Sequence, residues 1–163
     1  MGIVLSTRFF ELGSVFRRGL RVFISHAVND FKRYRVEEIA NYLESQKGIG
    51  SVLYCETDLV GNIDEWMHKI VPRSNLLLFI SSKESIVSRD CKTELALAES
   101  NNLRVIPVLG VGLMWDDLKE LYLDREYGTA FDPMEFESFC KELYEVITKY
   151  QKALETVEEK KKK

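Results

Sequence analysis

The sequence predicts an α/β domain in which helices cover both faces of a parallel sheet of about five strands. Short apolar runs without alternation, typical of strands buried on both faces, occur at residues 21–25, 51–55, 76–80 and 104–109. Amphipathic stretches with an apolar residue at every third or fourth position separate these runs. Strand and helix thus alternate about five times, and right-handed crossovers pack such units into a doubly wound sheet.

The first half of the chain supplies two strand and helix pairs. After the first strand, the polar loop SHAVND leads into a helix that stops at Gly48 and whose inward face is Val36, Ile39, Ala40 and Leu43. After the second strand, Asn62 caps a helix and Glu65 completes a capping box. This helix ends close to Pro72, and its inward face is Ile63, Trp66, Met67 and Ile70.

The second half continues the alternation. A helix from Ser88 follows the third strand, and the fourth strand contains Pro107, which cannot donate a ladder hydrogen bond. We therefore expect that strand to lie near the rim of the sheet, or its pairing to end at Pro107. A short helix at 115–121 and an edge strand at 129–131 come next. Asp132 then caps a last helix, with Pro133 at its first position, and its apolar stripe is Phe136, Phe139, Cys140, Leu143, Ile147, Tyr150 and Leu154.

Length and composition indicate one domain. With 163 residues, 45% hydrophobic, the chain can bury a stable core unaided. We divide it into an N-terminal extension at 1–20, a domain at 21–155 and a charged tail at 156–163. The formal net charge of -3 predicts no general affinity for nucleic acid.

The sequence also predicts the cellular compartment. Cys55, Cys91 and Cys140 are odd in number and lie in apolar patterns, which favours buried thiols in a reducing compartment over disulfides or a zinc site. No apolar run has the length of a membrane span, and no signal peptide is visible. We therefore predict a cytoplasmic protein with no membrane contact.

The helix after the third strand carries the most informative residue. Cys91, Leu95 and Ala98 share one side of this helix, so Glu94 lies in or on the border of the buried stripe. An ionised carboxylate buried without a partner costs several kcal/mol, so Glu94 must pair, be protonated or face a cleft. The alternative is a glutamate whose stem packs while its head reaches water or a basic side chain.

The expected crevice lies at the same place. If the strand order is the flavodoxin-like 2-1-3-4-5, ligands gather beyond the carboxyl ends of the first and third strands. The loops at 25–30 and 81–88 would flank that crevice, and the helix bearing Glu94 starts there.

The sequence lacks the motifs of several other functional classes. Neither a GxGxxG nor a GxxxxGK[ST] motif is present, so no dinucleotide fingerprint or phosphate-binding loop is predicted. Ser25 and His26 stand where a phosphorylatable receiver domain needs acids. His26 and His68 lack the companions of a catalytic triad or a metal site, so no metal is predicted.

Four segments in order, FISHAVND, DLVGNIDEW, LLLFISS and SRDCKTELALAE followed by RVIPVL, resemble the TIR (Toll/interleukin-1 receptor) domain, particularly its prokaryotic members. The resemblance covers residues 21–109 well and the C-terminal third in outline. Ser88, Cys91 and Glu94 match the family's S-x-W-C-x-x-E motif in register, whereas Asp90 replaces its aromatic residue. Candidates to supply the missing base-stacking contact are Tyr54, Trp66 and Trp115.

The resemblance implies that the chain acts on NAD. Enzymatic TIR domains cleave NAD between nicotinamide and ribose, giving ADP-ribose or a cyclic isomer, so NAD is the substrate and no cofactor is expected. Nicotinamide leaves as a neutral base and needs no general acid, so one carboxylate can suffice by opposing the charge of an oxocarbenium-like transition state. By resemblance Glu94 is the catalytic residue, and the candidate substrate contacts are Ser25, His26, Asp58, Ser81, Ser82 and Cys91.

Three hypotheses follow. The first is an NAD-cleaving enzyme of nucleotide signalling or antiviral defence that is active when subunits associate. The second is a non-catalytic adaptor that binds other TIR domains through the loop at 56–61. The third is a nucleoside deoxyribosyltransferase, which also uses a glutamate at a ribosyl carbon but does not explain FISHAVND or the glycine-bearing second loop.

Overall fold

The computed structural model is a five-stranded parallel sheet covered by helices, and it describes residues 19–54, 63–124 and 127–162, without the side chains of 63–66, 154, 155, 157 and 158. The strands are β1 (Leu20–Ser25), β2 (Ile49–Leu53), β3 (Leu76–Ile80), β4 (Arg104–Leu109) and β5 (Thr129–Ala130). The α-helices are α1 (Asp30–Arg33), α2 (Val36–Glu44), α3 (Ile63–Ile70), α4 (Arg89–Ser100) and α5 (Phe136–Lys161). Short 3-10 helices span Val71–Arg73, Ser85–Val87 and Trp115–Leu121.

The strand order is β2-β1-β3-β4-β5, and every neighbouring pair is parallel. The predicted flavodoxin-like order is therefore confirmed. Alternate residues of β1 pack on opposite faces: Val22 and Ile24 join a cluster with α2 and α5, and Phe23 joins a cluster with α3 and α4. Because both faces are covered, the strands need apolar residues at consecutive positions.

The first predicted helix is interrupted. Helix α1 ends at Arg33, Arg35 adopts a left-handed backbone with φ of 52°, and α2 begins at Val36. The Arg35 guanidinium lies 3.6 Å above the ring of Phe136 and forms an ion pair with Glu38, which favours this turn. The predicted inward residues of α2 are all fully buried: Val36, Ile39, Ala40 and Leu43.

Pro107 lies where the prediction allowed it. Strand β4 pairs with β3 along its length, but β5 pairs only with Val108 and Leu109, beyond the proline. Strand β4 is therefore next to the rim of the sheet. Pro107 pairs with Phe79 of β3 but has no pairing partner in β5, so its missing amide hydrogen is not needed on that side. Gly128 precedes β5, and a Cβ there would lie 2.1 Å from the Pro107 carbonyl oxygen, so this approach requires glycine.

Several boundaries differ from the prediction. Strand β2 covers Ile49–Leu53 rather than 51–55, and Cys55 lies outside the described residues. Helix α5 begins at Phe136 instead of Pro133, because Asp132 Oδ1 accepts from the amides of Met134 at 2.9 Å and Glu135 at 3.2 Å and so caps a turn before the helix. The helix continues to Lys161, into the charged tail, where the described side chains are exposed.

Cys91 and Cys140 are free, buried thiols, as predicted. In the described ranges, no helix combines the length and apolar character that crossing a membrane requires.

Candidate active site

The loops that follow β1 and β3 are joined by a buried polar cluster. The Ser82 hydroxyl donates a hydrogen bond to Asp30 Oδ2. Ser82 Oγ also accepts from the Ser85 amide at 3.0 Å, and the Ser82 amide donates to Ser85 Oγ at 2.7 Å. All three side chains are at most 1% exposed. Burial raises the pKa of Asp30, and the hydrogen bond from Ser82 opposes that rise.

Ser81 ties β3 to the end of β4. Its hydroxyl donates to the Val108 carbonyl oxygen at 2.7 Å and accepts from the Gly110 amide at 3.2 Å. The hydroxyls of Ser81 and Ser82, both predicted as substrate contacts, are thus buried and bonded within the protein. Their observed contacts are those of residues that hold the sheet edge together.

Helix α4 starts where the sequence places it. Ser88 is the N-cap, and its hydroxyl oxygen accepts from the Cys91 amide at 3.3 Å. From this start, the helical repeat turns Cys91, Glu94 and Ala98 toward the sheet, where they are 1%, 6% and 0% exposed. The carboxylate therefore lies inside the buried stripe.

Among the residues that the structure describes, Glu94 is buried without a charged partner. In the described part of the chain, it forms no ion pair with a basic side chain, and its Oε2 makes no hydrogen bond. Burial raises the pKa of Glu94 to about 8, a rise that the Ser25 hydroxyl opposes and the Asp90 charge reinforces. A pKa above neutrality favours the protonated carboxyl, which is one of the three states that the sequence allows for Glu94.

Ser25 lies beside both Glu94 and Cys91. It is the last residue of β1, pairs with Phe79 of β3 and is 1% exposed. Its hydroxyl is close enough to lower the pKa of the Glu94 carboxyl and of the Cys91 thiol. These contacts are not well-formed hydrogen bonds, since Ser25 Oγ has no partner with standard geometry among the described residues.

Cys91 is a neutral thiol in this environment. Burial and the nearby Glu94 carboxyl raise the pKa of Cys91 to about 12, against weaker lowering by Ser88 and Ser25. Because the thiolate is the nucleophilic form, this cysteine is unsuited to covalent catalysis.

An aromatic row crosses the ends of β1 and β2. The ring of Phe31 lies 5.7 Å from His26 on one side and 5.7 Å from Tyr54 on the other. His26 Nδ1 is 2.8 Å from the Ala27 carbonyl oxygen. Phe31 was missed because the four-residue α1 is too short to show helical periodicity.

Among the described residues, no other sequence candidate lies open at this edge. Asp58, the loop at 56–61 and the Trp66 side chain lie outside the described residues. Trp115 packs against the α3/α4 cluster, and Tyr54 is only 3% exposed. His68 is exposed on α3. No group of three or more His, Cys, Asp or Glu suited to a metal ion occurs within the described residues.

A separate cavity of about 690 Å³ lies on the other side of α4, between that helix, β4 and the 3-10 helix Trp115–Leu121. Its lining includes Lys92, Glu99, Arg104, Tyr122 and Tyr150, and does not include Glu94. Its charges are mixed and it holds no buried carboxylate, so we assign the candidate site to the edge around Glu94.

Comparison with known proteins decides the family. A family model of the TIR domain matches residues 22–143. The chain belongs to the TIR-domain family. No match was found among curated proteins.

Two solved TIR structures are similar to this TIR domain. The TIR domain of the Toll-related receptor TRR-2 from the lower metazoan Hydra magnipapillata has a TM-score of 0.54 at 16% identity, covering 78% of this chain and 97% of that one. The TIR domains of the activated Roq1 resistosome, which directly recognises the pathogen effector XopQ, have a TM-score of 0.49 at 22% identity, covering 63% of each chain. At 16% identity, the likeness to the Hydra domain concerns the fold alone.

Proposed function

We propose that this TIR domain cleaves NAD between nicotinamide and ribose, with Glu94 as its catalytic residue and ADP-ribose or a cyclic isomer as the product. The proposal depends on one observation: Glu94 is only 6% exposed and forms no ion pair within the described residues. It lies on the helix that follows β3, at the carboxyl ends of the neighbouring strands β1 and β3. A structural glutamate would gain a partner or reach water, so a buried, unpaired one indicates a functional constraint. Glu94 also matches the family's glutamate in register.

The chemistry needs Glu94 to be ionised when substrate is bound. NAD carries a positive charge on its nicotinamide ring, and a cation close to a carboxyl favours the ionised form. The carboxylate then stabilises the oxocarbenium-like ribose as nicotinamide departs with the bonding electron pair. Attack by water at that carbon, with loss of a proton, gives ADP-ribose, and attack from within the molecule gives a cyclic isomer.

Other groups at the edge have supporting roles in this proposal. His26 contacts the substrate, and Phe31 offers an aromatic surface near the end of β1 in place of the residue that Asp90 replaces. Asp58, which lies outside the described residues, is included as a substrate contact from the resemblance alone. Cys91 packs beneath the site as a neutral thiol. The setting is cytoplasmic nucleotide signalling or antiviral defence, with activity promoted by association with other TIR domains.

The test is nicotinamide release from NAD by concentrated or artificially clustered protein. Glu94→Gln keeps the shape of the side chain but cannot ionise, so we expect loss of about 100-fold or more in turnover. Glu99→Gln is the matched control, because Glu99 is exposed on the same helix. Unchanged turnover in Glu94→Gln would remove Glu94 from catalysis.

A scaffold function is the second candidate. It is favoured by one observation: Asp90, in the first turn of α4, stands where the family motif has an aromatic residue. A scaffold predicts no nicotinamide release even when the chains are clustered, together with self-association that survives Glu94→Gln. Nucleobase exchange on deoxynucleosides without NAD turnover would instead support the deoxyribosyltransferase hypothesis.

A further inference from the structure

The hydroxyl of Ser25 has no evident structural use. The side chain is 1% exposed, and Oγ lacks a well-formed hydrogen bond in the described ranges. A buried hydroxyl without a partner costs free energy, and alanine would fill the same space without that cost. Ser81 and Ser82, by contrast, use their hydroxyls to join loops. The Ser25 hydroxyl therefore needs another explanation.

The surroundings of Ser25 indicate that the partner of its hydroxyl is the Glu94 carboxyl. Ser25 pairs with Phe79, which packs in the α3/α4 cluster, so the serine side chain points to the face that α4 covers. The two polar groups that it affects there are the Cys91 thiol and the Glu94 carboxyl. Glu94 Oε2 also lacks a hydrogen bond among the described residues. A potential donor and a potential acceptor thus lie together in a buried site, without a bond of standard geometry between them.

Ionisation of Glu94 would change this arrangement. A neutral carboxyl has little demand for a further donor, whereas a carboxylate is acceptor-only and forms short, strong bonds with hydroxyls. We infer that Ser25 is a positioning residue, whose hydroxyl donates to the ionised Glu94 carboxylate and fixes its orientation beneath the substrate. This inference rests on the proposed function for its role in turnover, and on geometry for the bond itself.

Other groups around Glu94 do not provide this bond. Two titratable neighbours share its helix: Asp90, whose charge repels the carboxylate, and Cys91, whose thiol is a weak donor. The facing side chains of β1 and β3 in the same cluster are apolar: Phe23, Leu77 and Phe79. Within the described residues, Ser25 is the hydroxyl that lowers the pKa of Glu94.

The bond can be measured without substrate. The full chain, labelled with ¹³C in its glutamate carboxyls, is titrated by NMR, and the Glu94 signal is assigned by its absence in Glu94→Gln. We expect Ser25→Ala to raise the pKa of Glu94 by about one unit, because the carboxylate loses its donor. Ser25→Cys, with a weaker donor, should give a smaller rise, and it serves in place of the alanine variant if that protein does not fold.

Ser51→Ala is the matched control. Ser51 is a second buried serine whose hydroxyl lacks a bond in the described structure, and it pairs with Arg21, four residues before Ser25 on β1. It lies about 13 Å from Ser25 along the sheet, so its removal should leave the titration of Glu94 unchanged. An unchanged or lowered pKa in Ser25→Ala, or an equal rise in Ser51→Ala, would overturn the inference.

Kinetics give the second measurement. If the wild-type protein cleaves NAD, Ser25→Ala should move the acid limb of kcat/KM to higher pH by the same amount, with KM little changed. A raised KM with an unmoved acid limb would make Ser25 a substrate contact and overturn the positioning role. If the wild-type protein cleaves no NAD, the proposed function fails, and the titration still decides whether Ser25 and Glu94 are coupled.

Discussion

The Ser82 hydroxyl donates to the buried carboxylate of Asp30, the first residue of α1, and this contact joins the segment after β1 to the loop after β3 at the carboxyl ends of these neighbouring strands. Each loop carries only half of this pair. The edge on which Glu94 depends is therefore held by a polar cluster, not by packing alone.

Removal of the Ser82 hydroxyl should destabilise the domain. Ser82→Ala leaves the Asp30 carboxyl buried without this donor, and we expect a loss of about 1.5–3 kcal/mol in the free energy of unfolding, measured in urea. Ser138→Ala, at an exposed position of α5, is the control and should cost little. A loss in Ser82→Ala no larger than that of the control would contradict the role assigned to this pair.

The fold could be predicted because its signals are local and repeated. Each buried strand is an apolar run, and α2 shows its inward face directly in Val36, Ile39 and Leu43. The position of Glu94 followed from the same periodicity, combined with the N-cap at Ser88. The location of the candidate site was thus available from sequence, because strand order and helix phase determine it.

The remaining features depend on tertiary contacts that a local pattern does not contain. The break at Arg35 depends on the ring of Phe136, a hundred residues away in sequence. The partnership of Asp30 with Ser82 likewise joins distant loops. The predicted substrate contacts Ser81 and Ser82 proved to have internal partners, which sequence could not distinguish from open ones because a serine looks the same in both settings.

Gly128 should tolerate no side chain. A Cβ there would lie 2.1 Å from the Pro107 carbonyl oxygen, and backbone cannot withdraw as a flexible side chain can. Gly128→Ala should therefore cost about 1–3 kcal/mol in thermal or urea unfolding by displacing β5 from β4. Gly112→Ala is the comparison, since its Cβ would meet nothing within 4 Å and only its φ of 79° opposes alanine. Equal losses of free energy of unfolding in Gly128→Ala and Gly112→Ala would contradict the predicted clash with the Pro107 carbonyl oxygen.

The contribution of Glu94 to the stability of the folded protein should fall as pH rises from acid to mildly alkaline. The pKa of Glu94 is raised by burial to about 8 from an ordinary 4.5, so between these values the folded protein holds a proton that the unfolded chain has released. The contribution of Glu94 is therefore most favourable below the lower value and is lost as pH rises toward the upper one.

Glu94→Gln should remove that dependence. The amide does not titrate, so its own cost of burial is the same at every pH, and the variant should gain on the wild type by about 4–5 kcal/mol in free energy of unfolding between acid and mildly alkaline pH. Urea unfolding at a series of pH values measures this difference. Glu99→Gln should follow the wild-type curve, and parallel curves for wild type and Glu94→Gln would show that Glu94 already ionises at its ordinary pKa.

The pH dependence of NAD cleavage should carry the same signature in two forms. The profile of kcat/KM reports the free enzyme, where Glu94 is mostly protonated at neutral pH, so it should rise about tenfold per pH unit and level off near the pKa of about 8. The profile of kcat reports the bound complex, where the cationic nicotinamide ring favours the carboxylate, so its acid limb should lie at lower pH. Rates of Glu94→Gln, subtracted at each pH, correct for spontaneous NAD breakdown.

A flat kcat/KM from about pH 6 to 9 would mean that no group with a raised pKa controls the reaction. Coincident acid limbs would mean that bound substrate does not stabilise the Glu94 charge, so the carboxylate would not be positioned to oppose the charge on the ribose.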